Sequence, residues 1–185
     1  MATIAALTGL VDLHSHVLPR VDDGARDDDE ALRMLRTAEE DGIGTIAATP
    51  HAHHFPGALV PERVARLNAL AAAAGLTIRV VPGSEVRIAA DLPARYRDGH
   101  LLTLNGSRYL LIELFFDGGW PSYFFRLVDD LRALGLRPIL AHAERAEAVQ
   151  RDPAPLRDLI AAGVPIQINA ASLVGPAERG ARPTA

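Results

Sequence analysis

Asp12-Leu13-His14-Ser15-His16 is the stretch on which the reading of this chain turns. Leu10 to His14 is a short apolar run suited to a buried strand. Residues i and i+2 of a strand share a face, so His14 and His16 point the same way and can grip one metal ion at the strand end. Asp22-Asp23-Gly24 follows within ten residues. This acidic turn can supply a harder oxygen ligand to a neighbouring ion.

Outward from this stretch, strands and helices alternate. Asp27 to Asp41 carries Ala31, Leu32, Leu35 and Ala38 at helical spacing, with acidic residues in its first turn and Gly42 after it. Thr45 to Thr49 is a β-rich run stopped by Pro50. Pro61 opens a second helix through Ala74, and Gly75 ends it. Ile78 to Val81 reads as a strand ending at Pro82-Gly83, and Tyr109 to Leu114 as a strong strand. Tyr123 to Leu134 is a helix closed by Gly135. Arg137 to Ala141 is a strand, Pro155 to Ala162 a helix, and Pro165 to Ile168 a last strand. Apolar strands alternating with amphipathic helices predict an α/β fold with a parallel sheet, open or closed into a barrel. The loop from Phe115 to Pro121 reads as a surface excursion beside a site. The tail has no apolar period and reads as disordered over 176–185, after one domain over 1–175.

Composition narrows the function. A chain of 185 residues suits one domain with a sizeable core, and 49% hydrophobic with 23% charged residues is ordinary for a globular protein. A net charge of -4 gives no reason to expect nucleic-acid binding. The absence of cysteine excludes disulfides, zinc–thiolate sites and a cysteine nucleophile. Met1 to Leu10 is apolar but short and lacks a basic leader. No signal peptide or membrane span is expected, and cytoplasm is the expected location.

Polar residues recur just after the apolar runs. They are His14 and His16, His51 in Ala48-Thr49-Pro50-His51, Glu85 in Pro82-Gly83-Ser84-Glu85, Glu113 in Leu110-Leu111-Ile112-Glu113, and His142 in Ile139-Leu140-Ala141-His142. The C-terminal ends of parallel strands are where α/β folds bind ligands. Nitrogen and oxygen donors without sulfur suit Mn, Zn or Fe. Each residue taken alone also has a plainer reading. A single histidine after a strand is ordinarily a surface or capping residue, and Glu113 in an apolar strand could be half of a structural salt bridge. His53, His54 and His100 read as solvated, Asp12 as a partner of His14, and Asp22 as a turn residue.

Taken in order, His14-Ser15-His16, Val21-Asp22-Asp23-Gly24-Ala25, Ala48-Thr49-Pro50-His51, Gly83-Ser84-Glu85, Leu111-Ile112-Glu113, Leu140-Ala141-His142-Ala143-Glu144-Arg145 and Gln167-Ile168-Asn169 resemble the PHP superfamily. Within it the match is to bacterial metal-dependent protein-tyrosine phosphatases of capsular and exopolysaccharide loci. The resemblance implies a distorted (β/α) barrel of parallel strands with a metal cluster at its C-terminal mouth. It implies that His14, His16 and Glu85 hold a first ion, that Glu85, Glu113 and His142 hold a second, and that Asp23 and His51 hold a third. It also implies that Arg145 engages the substrate phosphate and that the metal is Mn, with Zn or Fe as alternatives. The partner it implies is a phosphotyrosine protein, a bacterial tyrosine kinase of polysaccharide export.

Members of that family continue past the Gln-Ile-Asn stretch with an Asp-x-His motif and a further arginine, which this chain does not show after Asn169. The expectation is therefore a C-terminally truncated product, a barrel incomplete at its last strands, weak metal binding and low activity. Two alternatives stand beside the tyrosine phosphatase. One is another PHP phosphoesterase, for example of histidinol-phosphate type, and the other is an inactive remnant.

Overall fold

A computed structural model describes residues 9–173. In chain order the elements are β1 (Leu10–Ser15), α1 (Asp28–Glu40), β2 (Ile43–Ala48), α2 (Val60–Ala73), β3 (Arg79–Pro82), β4 (Glu85–Arg87), α3 (Leu92–Arg97), β5 (Tyr109–Glu113), α4 (Phe124–Ala133), β6 (Arg137–Leu140), α5 (Glu147–Arg151), α6 (Ala154–Ala161) and α7 (Ala170–Leu173). The domain boundary expected at 175 and the disordered tail expected over 176–185 lie outside the described residues.

Local chemistry sets the helix limits. The Asp27 carboxylate accepts the Glu30 N–H at 2.8 Å, which caps α1, and Asp28, Asp29 and Glu30 stand at its positive end. Ala31, Leu35 and Ala38 then face the core. Pro61 occupies the first turn of α2, where its missing N–H costs nothing. Val60, Val64, Leu67 and Ala71 form the buried stripe of α2. Asn68 on the same helix borders β3. Its amide donates to Val80 O and its oxygen accepts Val80 N–H, both at 2.9 Å. Those two bonds satisfy backbone groups that a strand edge would otherwise leave open.

Every named ladder is parallel. The strands form two three-stranded sheets, ordered β1-β2-β3 and β4-β5-β6. They meet at a seam, where His51 bridges to Glu85. Side chains alternate across the strands as period two requires. Ile46, Ala48 and Val80 pack under α1 and α2, while Leu110 and Ile112 pack under α4. Ala47, Val81, Leu111 and Ile139 point the other way and form one small cluster drawn from both sheets. The α/β class with parallel strands is thus established. The closed barrel is not: among the described residues no ladder joins β1 to β6.

Several details differ from the expectation. β1 is not buried on both faces, since Val11 is 58% and Leu13 42% exposed. β1 pairs only with β2, and its inner side opens on an apolar cleft of about 450 Å³ shared with Val81, Leu104 and Ile139. The strand expected over 165–168 shrinks to one bridge, Leu140 to Ile166. The reason lies in its neighbour. After β6 the chain turns at His142, whose N–H is taken by the Gln167 side chain and so cannot extend a backbone ladder. β4, α3, α5 and α7 were not expected from the sequence.

Gly24 sits where the chain doubles back on β1. A Cβ there would lie 1.9 Å from His16 O, the same oxygen that accepts Ala25 N–H at 3.0 Å. Gly24→Ala is expected to spread this turn and cost about 2 kcal/mol or more. Gly119→Ala, where a Cβ meets nothing within 4 Å, should be near neutral. Urea unfolding of both variants checks the contrast.

Candidate metal centre

Glu85 is the hub of the site. It opens β4 at the seam and is fully buried. Its Oε1 is 2.6 Å from His142 Nε2. Its Oε2 is 3.0 Å from His51 Nδ1, 3.2 Å from His16 Nε2 and 3.3 Å from His14 Nε2. The four imidazoles come from β1, from the turn after it, from the loop after β2 and from the turn after β6. Glu113 ends β5, is also buried, and reaches His51 Nδ1 at 3.5 Å and His142 Nε2 at 3.9 Å. Asp23 stands at the open side, 3.4 Å from His16 Nδ1 and 3.6 Å from His51 Nε2.

Donor atoms of His14, His16 and Glu85 lie within 4.8 Å of one another. The same holds for Glu85, Glu113 and His142, for His16, Asp23 and His51, and for His51, His53 and Glu113. All seven residues that the family resemblance implies as metal ligands therefore stand together. Arg145 reaches the same cavity of about 420 Å³. His53, expected to be solvated, is exposed yet belongs to the last donor group, whereas His54 and His100 are exposed and lie outside these groups.

Other residues hold the donors in place. Asp22, read from the sequence as a turn residue, does bond Gly24 N–H at 3.2 Å with one oxygen. Its other oxygen takes His16 Nδ1 at 2.6 Å and His51 N–H at 2.9 Å. Asp12 accepts the backbone N–H of His14 at 3.0 Å and does not orient its ring. That task falls to Gln167, whose Oε1 lies 3.2 Å from His14 Nδ1 and also accepts His142 N–H at 2.7 Å. His142 needs this support, because at φ 27° and ψ 50° it occupies the left-handed region that disfavours side chains. Arg87 Nε donates to Glu113 at 3.3 Å and stacks its guanidinium on Phe115. The sequence signal for Gln167 is its place in Gln167-Ile168-Asn169. Arg87 gave none.

The electrostatics fit a cation. Burial alone would push the Glu85 carboxyl up, but the surrounding imidazoles hold it far below the usual carboxylate range. Glu113 goes the opposite way, raised by burial and by the charge of Glu85 beside it. Burial opposes the charged form of His16, yet Asp22 and Glu85 outweigh it and lift the imidazole to about 10. The Glu85 contact raises His51. His51 Nδ1 and Glu85 Oε2 are buried and make no well-formed hydrogen bond. Orphaned buried donors and acceptors are costly. Divalent cations would engage both atoms and let both carboxylates ionise, so the residues present fit such ions.

A parallel α/β framework gathers a histidine–carboxylate cluster at one end, a donor set that fits divalent ions. The chain belongs to the capsular polysaccharide synthesis CpsB/CapC family, which matches residues 10–184. It is 37% identical over 172 residues to the tyrosine-protein phosphatase YwqE of Bacillus subtilis, covering 90% of this chain and 66% of that protein. It is 35% identical over 170 residues to the putative tyrosine-protein phosphatase CapC of Staphylococcus aureus, again covering 90% of this chain and 66% of the relative. A chain from the crystal structures of YwqE and of CpsB from Streptococcus pneumoniae, described as metal-dependent tyrosine phosphatases, superposes with a TM-score of 0.85 at 37% identity. That match covers 89% of this chain and 68% of the solved one. The chain thus spans about two thirds of the length of the curated relatives it matches.

Gln167→Ala and Asp22→Ala keep every residue of the donor groups but remove the partners that orient the His14 and His16 rings. Each is expected to weaken divalent-ion binding about 10–100-fold. Calorimetric titration with manganese measures this. In the unsubstituted chain, added manganese should raise the melting temperature, and a chelator should reverse the rise.

Proposed function

We propose that this site hydrolyses protein phosphotyrosine with the help of divalent ions. The observation that carries the reading is the convergence of four imidazoles on the one buried carboxylate of Glu85. The tyrosine phosphatases similar to the chain support the substrate class. In this reading His14, His16 and Glu85 hold one ion, Glu85, Glu113 and His142 a second, and Asp23 with His51 a third. Manganese is the proposed metal. The two sheets are proposed to be part of a distorted barrel, whose inner face is the small cluster they share. The proposed setting is the cytoplasm, and the proposed partner is an autophosphorylating tyrosine kinase of polysaccharide export. No helix among the described residues is long and apolar enough to cross a membrane.

The bound ions would supply Lewis acidity and bring the pKa of water toward neutrality. The chain's own residues do the rest. Arg145 lies at the cavity wall, where its planar guanidinium can pair with two phosphoryl oxygens at once. Its cationic charge then faces the charge that grows on those oxygens as the bond to the leaving group breaks. Asn169 lines the same cavity and offers an amide to the phosphate or the ring. A phenol leaves with a pKa of about 10, so it needs little help from a general acid. The chain has no cysteine, so transfer of the phosphoryl group to a thiolate is not available to it.

Manganese-supplemented protein is expected to release phosphate from a phosphotyrosine peptide. His14→Ala should abolish the release, and Arg145→Ala should lower kcat/KM by about 10²-fold, the order found on removing one charge-stabilising donor. A substrate panel with histidinol phosphate and metal analysis by mass spectrometry accompany the assay. Faster turnover of histidinol phosphate would move the chain to another phosphoesterase activity. Less than one tight ion per chain with no turnover would make it a non-catalytic remnant.

A further inference from the structure

Two aromatic residues leave the end of β5 into solvent. Phe115 is 43% and Phe116 45% exposed, directly after the buried Glu113 and Leu114. Their rings do not serve the core. The Phe116 ring lies beneath the Arg145 guanidinium, with Cζ 4.5 Å from its centroid. It is also 5.4 Å from the His142 ring and lines the cavity of the metal centre. Its backbone is pinned, since Phe116 O accepts Glu147 N–H at 2.9 Å and Gly118 N–H reaches Glu147 Oε2 at 2.8 Å. The loop therefore fixes the backbone that carries an apolar ring, half in water, at the rim of a polar cavity. Keeping that much aromatic surface wet is unfavourable. The exposure is understandable if another apolar group covers the ring.

We infer that Phe116 is a specificity-determining residue that packs against the aromatic ring of an aryl phosphate while Arg145, held on its face, takes the phosphate. The inference rests on the phosphomonoesterase reading above. The geometry separates the two halves of such a substrate. The phosphate belongs with the cations, which are the guanidinium and the ions of the cluster. The phenyl ring belongs beside the apolar wall, where Phe116 remains 45% exposed with the guanidinium over it. Aromatic pairs gain from offset or edge-to-face contact beyond plain burial, by about 0.5–1.5 kcal/mol. An alkyl phosphate such as phosphoserine has no ring to place there.

The test compares Phe116→Leu and Phe116→Tyr with the unsubstituted protein, each loaded with manganese. Calorimetry measures binding of phosphotyrosine, phosphoserine and inorganic phosphate, and metal content is checked in parallel. Kinetics on phosphotyrosine and phosphoserine peptides of one sequence give kcat and KM separately. Phe116→Leu is expected to lower the affinity for phosphotyrosine relative to inorganic phosphate by about 2–12-fold, the equivalent of one aromatic pair. The loss should fall on KM, and Phe116→Tyr should restore it. Equal weakening of phosphotyrosine and phosphate would overturn the inference, because Phe116 would then act only by seating Arg145. An unchanged ratio would overturn it as well, as would a protein that binds neither ligand. A protein that binds phosphotyrosine with the expected Phe116 dependence but hydrolyses no phosphomonoester would sink the functional reading and leave the aryl site standing.

Discussion

The burial of the Glu85 charge is the constraint on which the rest depends. A carboxylate taken out of water without partners is too costly for a chain of ordinary stability. Glu85 is fully buried, and its two oxygens meet four imidazoles. Those rings come from segments that span residues 14 to 142, so no local stretch could satisfy it. The two sheets must first meet at the seam, because Glu85 and His51 sit on either side of it. Site and fold are in this sense one arrangement. The framework gathers the donors, and a cation among them would relieve the mutual repulsion of Glu85 and Glu113 that the framework creates.

Precision comes from the groups behind the donors. One Gln167 oxygen serves both the His14 ring and the His142 backbone, which couples β1 to the turn after β6. One Asp22 oxygen serves both the His16 ring and the His51 backbone, which couples the turn after β1 to the loop after β2. Each of these side chains fixes two donors at once, so each sets an angle between them. Glu144 does similar work behind Arg145 and Asn169, which line the cavity. It bonds Asn169 N–H at 3.2 Å and Ser172 Oγ at 2.9 Å, which ties the turn carrying Arg145 to the segment carrying Asn169.

Much of this could be read from the sequence, for physical reasons. Long amphipathic runs with caps declare themselves, so α1, α2, α4 and α6 were found within a residue or two. The alternation of apolar strands and helices was enough for the parallel α/β class. β4 was not legible, because Glu85-Val86-Arg87 is too short to show a period. The bend at His142 was not legible either, since nothing in Leu140-Ala141-His142 marks a left-handed residue, and so the last strand was overestimated. Asp22 and Asp23 are chemically alike and adjacent. Only the fold decides that the first turns inward to His16 while the second stays 74% exposed. The ring partner of His14 lies 153 residues away, and no spacing rule reaches that far.

The division of labour between strands and loops follows from the same geometry. Glu85 and Glu113 project from paired strand residues, where the β4–β5 ladder fixes their direction, while His14 stands in the irregular end of β1, where Asp12 takes its N–H. Phe116, Arg145 and Asn169 stand on the connections above them, where the chain is free to vary without breaking a ladder. On the proposed reading, a rigid floor of metal donors needs little change to serve different phosphate esters, because the phosphate is common to all of them. The rest of such a substrate would be met by the loops. On this chain the loop after β5 presents aromatic surface, and the turn after β6 presents a cation stacked on it. On the proposed reading the strands thus set which ions the site would hold, while the choice among phosphate esters would rest with the few side chains those connections raise around the cavity.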